Sequence, residues 1–191
     1  MNVHYSSESG EWETPQDLFE LLNNEFGGFT LDVCATAQNA KCLLYYDRET
    51  DGLAQDWRGR CWMNPPYGRE IGKWVAKARH TAEATGATVV CLLPARTDTA
   101  WWWDHVVYGE VRFLRGRLRF VGAEGSAPFP SAVVIFGPYR RRRTTRWWDT
   151  RLPSADLETE DPPGRSYSRA EARQLLRELA QAASQPREVR A

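Results

Sequence analysis

At 191 residues, 42% of them hydrophobic and 26% charged, the chain is long enough to bury one sizeable core, and one domain followed by a tail is the expectation. Lysine plus arginine equals aspartate plus glutamate at 25 each, so no global field marks a polyanionic partner and a nucleic-acid surface has to be a local patch. No apolar run is long enough to cross a membrane and the N-terminus carries no signal-peptide core, which predicts a cytoplasmic protein with no membrane partner.

Residues 1–10 are polar and predicted to be a flexible N-terminus. Thr14-Pro15 then reads as an N-cap followed by proline at the first helical position; Leu18, Phe19, Leu21, Leu22 and Phe26 follow at helical spacing until Gly27-Gly28 stops the run. Phe29 to Cys34 predicts a short strand, and Lys41 to Tyr46 a second, entered through the turn-like Ala37-Gln38-Asn39. Arg60 to Asn64 is a third strand. A helix is predicted over Glu70 to Thr85, where Ile71, Trp74, Val75 and Ala78 share a face. Thr88 to Leu93 is almost wholly apolar, as a central strand buried on both faces has to be. Asp98 is expected to cap a helix running through Val107, and the last strands are Glu110 to Val121, folded as a hairpin at Arg115-Gly116, and Ala132 to Phe136.

Strands alternating with helices predict a three-layer α/β fold, in which ligands bind beyond the carboxyl ends of the strands. Asp32 and Asn64 both sit at such ends, so the two should face one crevice. After Gly137 the pattern degrades into arginines, Trp147-Trp148 and a Pro/Ser/Glu-rich linker through Gly164; Ser168 to Ser184 then reads as an amphipathic helix with Leu175, Leu176 and Leu179 on one side. The expected division is therefore a domain over 11–148 and a linker with C-terminal helix over 149–191.

Asn64-Pro65-Pro66-Tyr67 is the most informative segment. Two prolines cannot continue a sheet ladder, so the chain has to leave the strand in a stiff extended corner that holds Asn64 and Tyr67 in place. An amide oxygen, bare carbonyls and a ring suit a planar amine: acceptors for its N–H bonds and a surface for its face. A rigid turn with Tyr67 packed beside it is the blander account. The cysteines Cys34, Cys42, Cys61 and Cys91 lack paired spacing for zinc and read as reduced buried thiols, so no metal is expected. Nine tryptophans exceed what a core of this size needs, and surplus flat rings suit base stacking.

Further segments join this one: Trp12-Glu13-Thr14-Pro15, Leu31-Asp32-Val33-Cys34-Ala35, Asp51-Gly52-Leu53 with Asp56-Trp57, Leu93-Pro94-Ala95-Arg96-Thr97-Asp98-Thr99, and Ala127-Pro128-Phe129-Pro130-Ser131-Ala132. In this order, from Trp12 to Gly137, they resemble the phage-encoded DNA N-6-adenine-methyltransferase family, and Asn-Pro-Pro-Tyr is similar to the catalytic motif of S-adenosylmethionine-dependent amino-methyltransferases. The resemblance implies a Rossmann-like three-layer methyltransferase sheet, mostly parallel with an antiparallel C-terminal strand or hairpin. It implies methyl transfer from S-adenosylmethionine to the N6 amine of a flipped or unpaired adenine in DNA, in a bacterial host cytoplasm. The catalytic positions it matches are Asn64, Pro65, Pro66 and Tyr67, with the Asn64 side-chain oxygen and the Pro65 carbonyl accepting from N6 and Tyr67 stacking on the base.

For the methyl donor the resemblance implies Trp12, Thr14, Pro15, Asp32 and Cys34, with the Asp32 carboxylate attracting the donor's ammonium group. By order alone it adds Asp47 for the ribose and Asp56 for the donor's adenine, although both also read as exposed loop carboxylates. The chain departs from the family pattern after Asp32, where Ala35-Thr36-Ala37-Gln38-Asn39 replaces a glycine-rich loop. Arg96, Arg115, Arg117, Arg119 and Arg141 are the candidate DNA contacts; a salt bridge from Arg96 to Asp98 and a solvated basic edge over Arg112 to Arg119 are the competing accounts. Three other readings stay open: methylation of a protein glutamine, methylation of an RNA base, and an inactive DNA-binding module.

Overall fold

The computed structural model describes residues 12–138 and the backbone of a strand at 145–148. The flexible N-terminus, Arg141, the linker and the C-terminal helix expected from sequence lie outside the described residues. Helix α1 spans Gln16–Glu25 and buries Leu18, Phe19 and Leu22. It ends where expected, at Gly27 and Gly28, both at positive φ (71° and 93°). Its start differs from the expectation. Pro15, not Thr14, occupies the N-cap, and no side chain caps the helix because the proline ring carries no acceptor.

Strands β1 (Leu31–Asp32), β2 (Arg60–Met63), β3 (Thr88–Pro94), β4 (Glu110–Leu114), β5 (Ser131–Phe136) and β6 (Thr145–Trp148) form one six-stranded sheet in the order β1-β2-β3-β5-β4-β6. β1, β2 and β3 pair in parallel, as do β4 and β6, whereas β5 runs antiparallel to both its neighbours. The mostly parallel expectation is thus met in part. Helix α2 (Ile71–Thr85) buries Ile71, Val75, Ala78 and Ala82, and a left-handed Gly86 closes it.

Ladder partners share a face, so Trp62, Val90 and Ile135 look one way, and the pairing of Ile135 with Glu110 turns Phe113 the other way. Phe19 of α1 meets Trp62 edge-on at 5.5 Å, while Trp102 of the short helix α3 (Ala100–Asp104) stacks on Phe113 at 6.1 Å. Helices therefore cover opposite faces of the sheet, and β3 is buried along its whole length.

Several expected elements are shorter than sequence predicted. The strand over Lys41 to Tyr46 contracts to one bridge, Asp32 to Tyr45, closed by the Tyr46 amide donating to the Asp32 carbonyl at 2.9 Å. α3 starts after Thr99 rather than Asp98 and yields at His105 to a 3₁₀ turn over Val106–Tyr108. The hairpin at Arg115-Gly116 does not form. β4 is already flanked by β5 and β6, so residues 117–121 have no ladder to join and fold as a loop instead.

One glycine is required by close approach. A Cβ on Gly52 would lie 2.1 Å from the Val33 carbonyl oxygen, while the Gly52 carbonyl accepts from the buried Trp57 indole at 2.8 Å. Gly52→Ala is expected to lower stability by about 2 kcal/mol through overpacking, read as a lower urea midpoint with unchanged slope.

Candidate active site

The parallel strands β1 and β2 open at their carboxyl ends onto a cavity of about 530 Å³. Asp32 and Cys34 enter it from the end of β1, Trp62 and Asn64-Pro65-Pro66 from β2, Trp12-Glu13-Thr14 from the segment before α1, and Asp47, Arg48 and Asp51 to Leu53 from the long β1–β2 connection. Asp32 and Asn64 do face one crevice. Glu13, Asp32, Asp47, Asp51 and Glu70 outnumber Lys41 and Arg48 on its wall, so the interior suits a cation better than a phosphate.

Asn64 is the distinctive side chain. Its Nδ2 donates to the Trp12 carbonyl at 2.5 Å and to the Thr14 hydroxyl at 3.0 Å. A carbonyl can only accept, so this edge has to be the NH₂ edge, and Oδ1 points away from it. Oδ1 is buried and has no hydrogen-bond partner among the described residues. A buried acceptor without a partner costs about 1–3 kcal/mol, and a site that keeps one is shaped for a donor that arrives later. Pro65 beside it is buried, and its carbonyl makes no hydrogen bond among the described residues.

Asp32, 3% exposed, accepts from the Lys41 amide on Oδ2 at 3.0 Å and from the Cys34 amide on Oδ1 at 3.4 Å. Burial outweighs those bonds and pushes its carboxyl up to about 6. Cys34 opens partly to the cavity yet is packed within protein; burial first, then the Asp32 charge, pushes its thiol well up, leaving it neutral. Asp47 lines the cavity but also organises its own turn. Its Oδ1 accepts from the Glu49 and Thr50 amides and the Thr50 hydroxyl, and these bonds, led by the Thr50 amide, hold its carboxyl below the usual range.

The remaining expected positions fall elsewhere. Pro15 and Asp56 do not line the cavity, and the exposed Asp56 carboxylate pairs with Arg58 at 3.3 Å. Tyr67 turns inward: it is 7% exposed, its hydroxyl donates to the Leu92 carbonyl at 3.1 Å, and Phe129 and Phe120 meet it edge-on. As placed it offers no open face to a base. Trp12, Trp62 and Trp74 are aromatic residues that do border the cavity.

Arg96, Arg115, Arg117 and Arg119 are exposed on loops that leave the carboxyl ends of β3 and β4. No ion pair joins Arg96 to Asp98 among the described residues, and Arg119 donates to the Ala123 carbonyl. Arg112 is different: it forks onto Glu25 at 2.7 Å on both nitrogens and also meets Glu110 at 2.8 Å, so it belongs to a structural ion cluster. His80 and His105 pair with one another at 6.0 Å and do not line the cavity. Among the described residues no group of His, Cys, Asp and Glu could hold a metal, and no helix is long and apolar enough to cross a membrane. Sequence reasoning missed Lys41, Arg48, Trp74 and Glu70 on the cavity wall. They come from separate segments, Lys41 and Arg48 from the β1–β2 connection and Glu70 and Trp74 from the start of α2, which no local signal links.

A mixed α/β sheet whose parallel strands end at an acidic cavity, with Asn64 in its wall and that side chain's oxygen buried and unpartnered, is consistent with an α/β methyltransferase fold. The family model described as DNA N-6-adenine-methyltransferase (Dam) matches residues 4–153. The DNA N-6-adenine-methyltransferase of Haemophilus phage HP1 is 36% identical over 142 residues, covering 69% of this chain and 81% of that protein. The enzyme of the same name from Escherichia phage T1 is 32% identical over 95 residues, 47% of this chain and 38% of its own length. The chain belongs to the DNA N-6-adenine-methyltransferase (Dam) family.

Proposed function

We propose that this phage-type family member methylates the N6 amine of adenine in DNA, with S-adenosylmethionine held in the β1–β2 cavity of a Rossmann-like sheet. The buried, unpartnered Oδ1 of Asn64, a residue of the cavity wall, carries the reading. The cavity fits the donor: its volume lies in the range of small-molecule sites, and its buried carboxylate suits an ammonium group. In the proposal Asp32 takes that ammonium, Thr14 and Cys34 form the wall beside it, Asp47 sits where a ribose can reach it, and Trp12 bounds the mouth. When bound, the donor supplies an electrophilic methyl carbon on a sulfonium.

The chain's own residues then work on the amine. Adenine N6 is a poor nucleophile because its lone pair is delocalised into the ring. Asn64 Oδ1 and the Pro65 carbonyl accept from its two N–H bonds, which favours a more tetrahedral nitrogen with a localised pair. Both acceptors are fixed in a water-poor site, where such contacts count most. The nitrogen becomes acidic as it is methylated, so the surplus proton can leave to solvent and no histidine is required. A base inside a duplex has to be flipped to reach this corner. The family match favours DNA over the RNA base or protein amide that the same grip accepts.

Incubation with tritiated donor and adenine-containing DNA should release N6-methyladenine on nucleoside digestion. Donor binding without transfer to any DNA would overturn the reading. Arg96, Arg115, Arg117 and Arg119 are proposed to track phosphates from the loops that follow β3 and β4. Arg96→Ala with Arg117→Ala is expected to flatten the dependence of log affinity on log salt by about two units, measured by fluorescence anisotropy.

A further inference from the structure

An asparagine amide has one edge that accepts and one that donates, and only the accepting edge can grip an amine. An amide free to flip would present its NH₂ to the base and repel it. Here the flip is settled by a segment 50 to 52 residues away in sequence: Nδ2 of Asn64 is held by the Trp12 carbonyl and the Thr14 hydroxyl. Thr14 is 2% exposed and stands one residue before the Pro15 N-cap of α1, so its hydroxyl is not spent on capping the helix. Its hydroxyl serves Asn64 instead.

We propose that Thr14 is a positioning residue for methyl transfer, which with the Trp12 carbonyl clamps the Asn64 amide so that its oxygen faces the incoming amine. This rests on the reading above that Asn64 grips N6. The clamp also explains why this site takes an amide rather than a carboxylate. An ionised aspartate at 64 would set an oxygen against the Trp12 carbonyl, whereas a protonated one could donate to it and recover the amide's orientation.

Thr14→Val removes the hydroxyl at nearly constant shape, and Thr14→Ser keeps it. For Thr14→Val, kcat should fall about 10- to 100-fold, with the donor's Kd by calorimetry within about threefold of the parent. Thr14→Ser should recover most of the rate. For Asn64→Asp, kcat at saturating donor, taken relative to the parent at each pH, should rise as pH falls. In the free protein labelled with ¹⁵N-asparagine, hydrogen exchange of the Asn64 side-chain amide should be slow, and faster in Thr14→Val.

Parent-like kcat in Thr14→Val, a loss confined to donor affinity, a flat pH ratio for Asn64→Asp, or unchanged amide exchange would each overturn the clamp. A parent protein that transfers no methyl group to DNA sinks the functional reading alone, because the exchange measurement still decides the clamp.

Discussion

Replacing Asp32 with asparagine is expected to weaken methyl-donor binding by roughly a hundredfold while making the free protein more stable at pH 8. The two effects have one cause. The Asp32 carboxyl is raised from 3.8 to about 6 by burial, so above pH 6 the folded state carries a charge it would rather not hold. The linkage sign follows: a folded-state pKa above the unfolded one means stability falls as pH rises from about 4 to about 6, then stays low. At 1.36 kcal/mol per unit this amounts to about 3 kcal/mol at pH 8 and about half that at pH 5.

Asparagine avoids the charge but accepts from only one of the Lys41 and Cys34 amides well, which takes back about 1 kcal/mol. Urea midpoints should therefore favour Asp32→Asn at pH 8, with the advantage shrinking towards pH 5. In the parent, donor affinity should fall up to about tenfold per pH unit below 6, as the carboxylate that meets the ammonium is lost. The variant should show no such slope. Calorimetry that finds equal donor affinity in both proteins removes Asp32 from the donor site.

Most of what places this site was legible in local sequence, because strand ends and stiff corners are local properties. Asp32 closes a short apolar run and Asn64 precedes two prolines; both statements need only a few neighbouring residues, and both survive in the structure. The direction of Tyr67 was not legible. Its ring is drawn inward by a hydroxyl bond to Leu92 on a different strand and by Phe120 and Phe129 from the loop before β5. Nothing near Pro66 encodes that. The hairpin at Arg115-Gly116 failed for a similar reason, since both edges of β4 were taken by strands arriving later in the chain. Thr14 gave the helix start one residue early, and its hydroxyl instead accepts from Asn64, 50 residues away. Where a side chain's partner lies on a remote segment, composition and periodicity have nothing to read.

Asn64→Ala is expected to lower kcat by about 10² to 10³-fold with donor affinity and DNA affinity close to the parent's. The asymmetry comes from when the hydrogen bond matters. In the ground state adenine's amine is a weak donor and its bond to Oδ1 replaces one to water. As the nitrogen takes the methyl group it becomes positive, its hydrogens become strong donors, and the same oxygen binds them far better. An interaction that strengthens on the way to the transition state appears in kcat rather than KM.

The Pro65 carbonyl stays in place in the variant, so one acceptor of the pair survives and activity should not vanish. Stability should change little. Alanine frees the Trp12 carbonyl and Thr14 hydroxyl, which border the cavity and can take water, and it also removes the unpartnered Oδ1. Base flipping, followed with 2-aminopurine at the target position, should persist, because the loop arginines proposed to hold the DNA are unaltered. A loss that appears in KM or in donor affinity, with kcat within tenfold of the parent, would assign Asn64 to binding alone, and its buried, unpartnered oxygen would need another explanation.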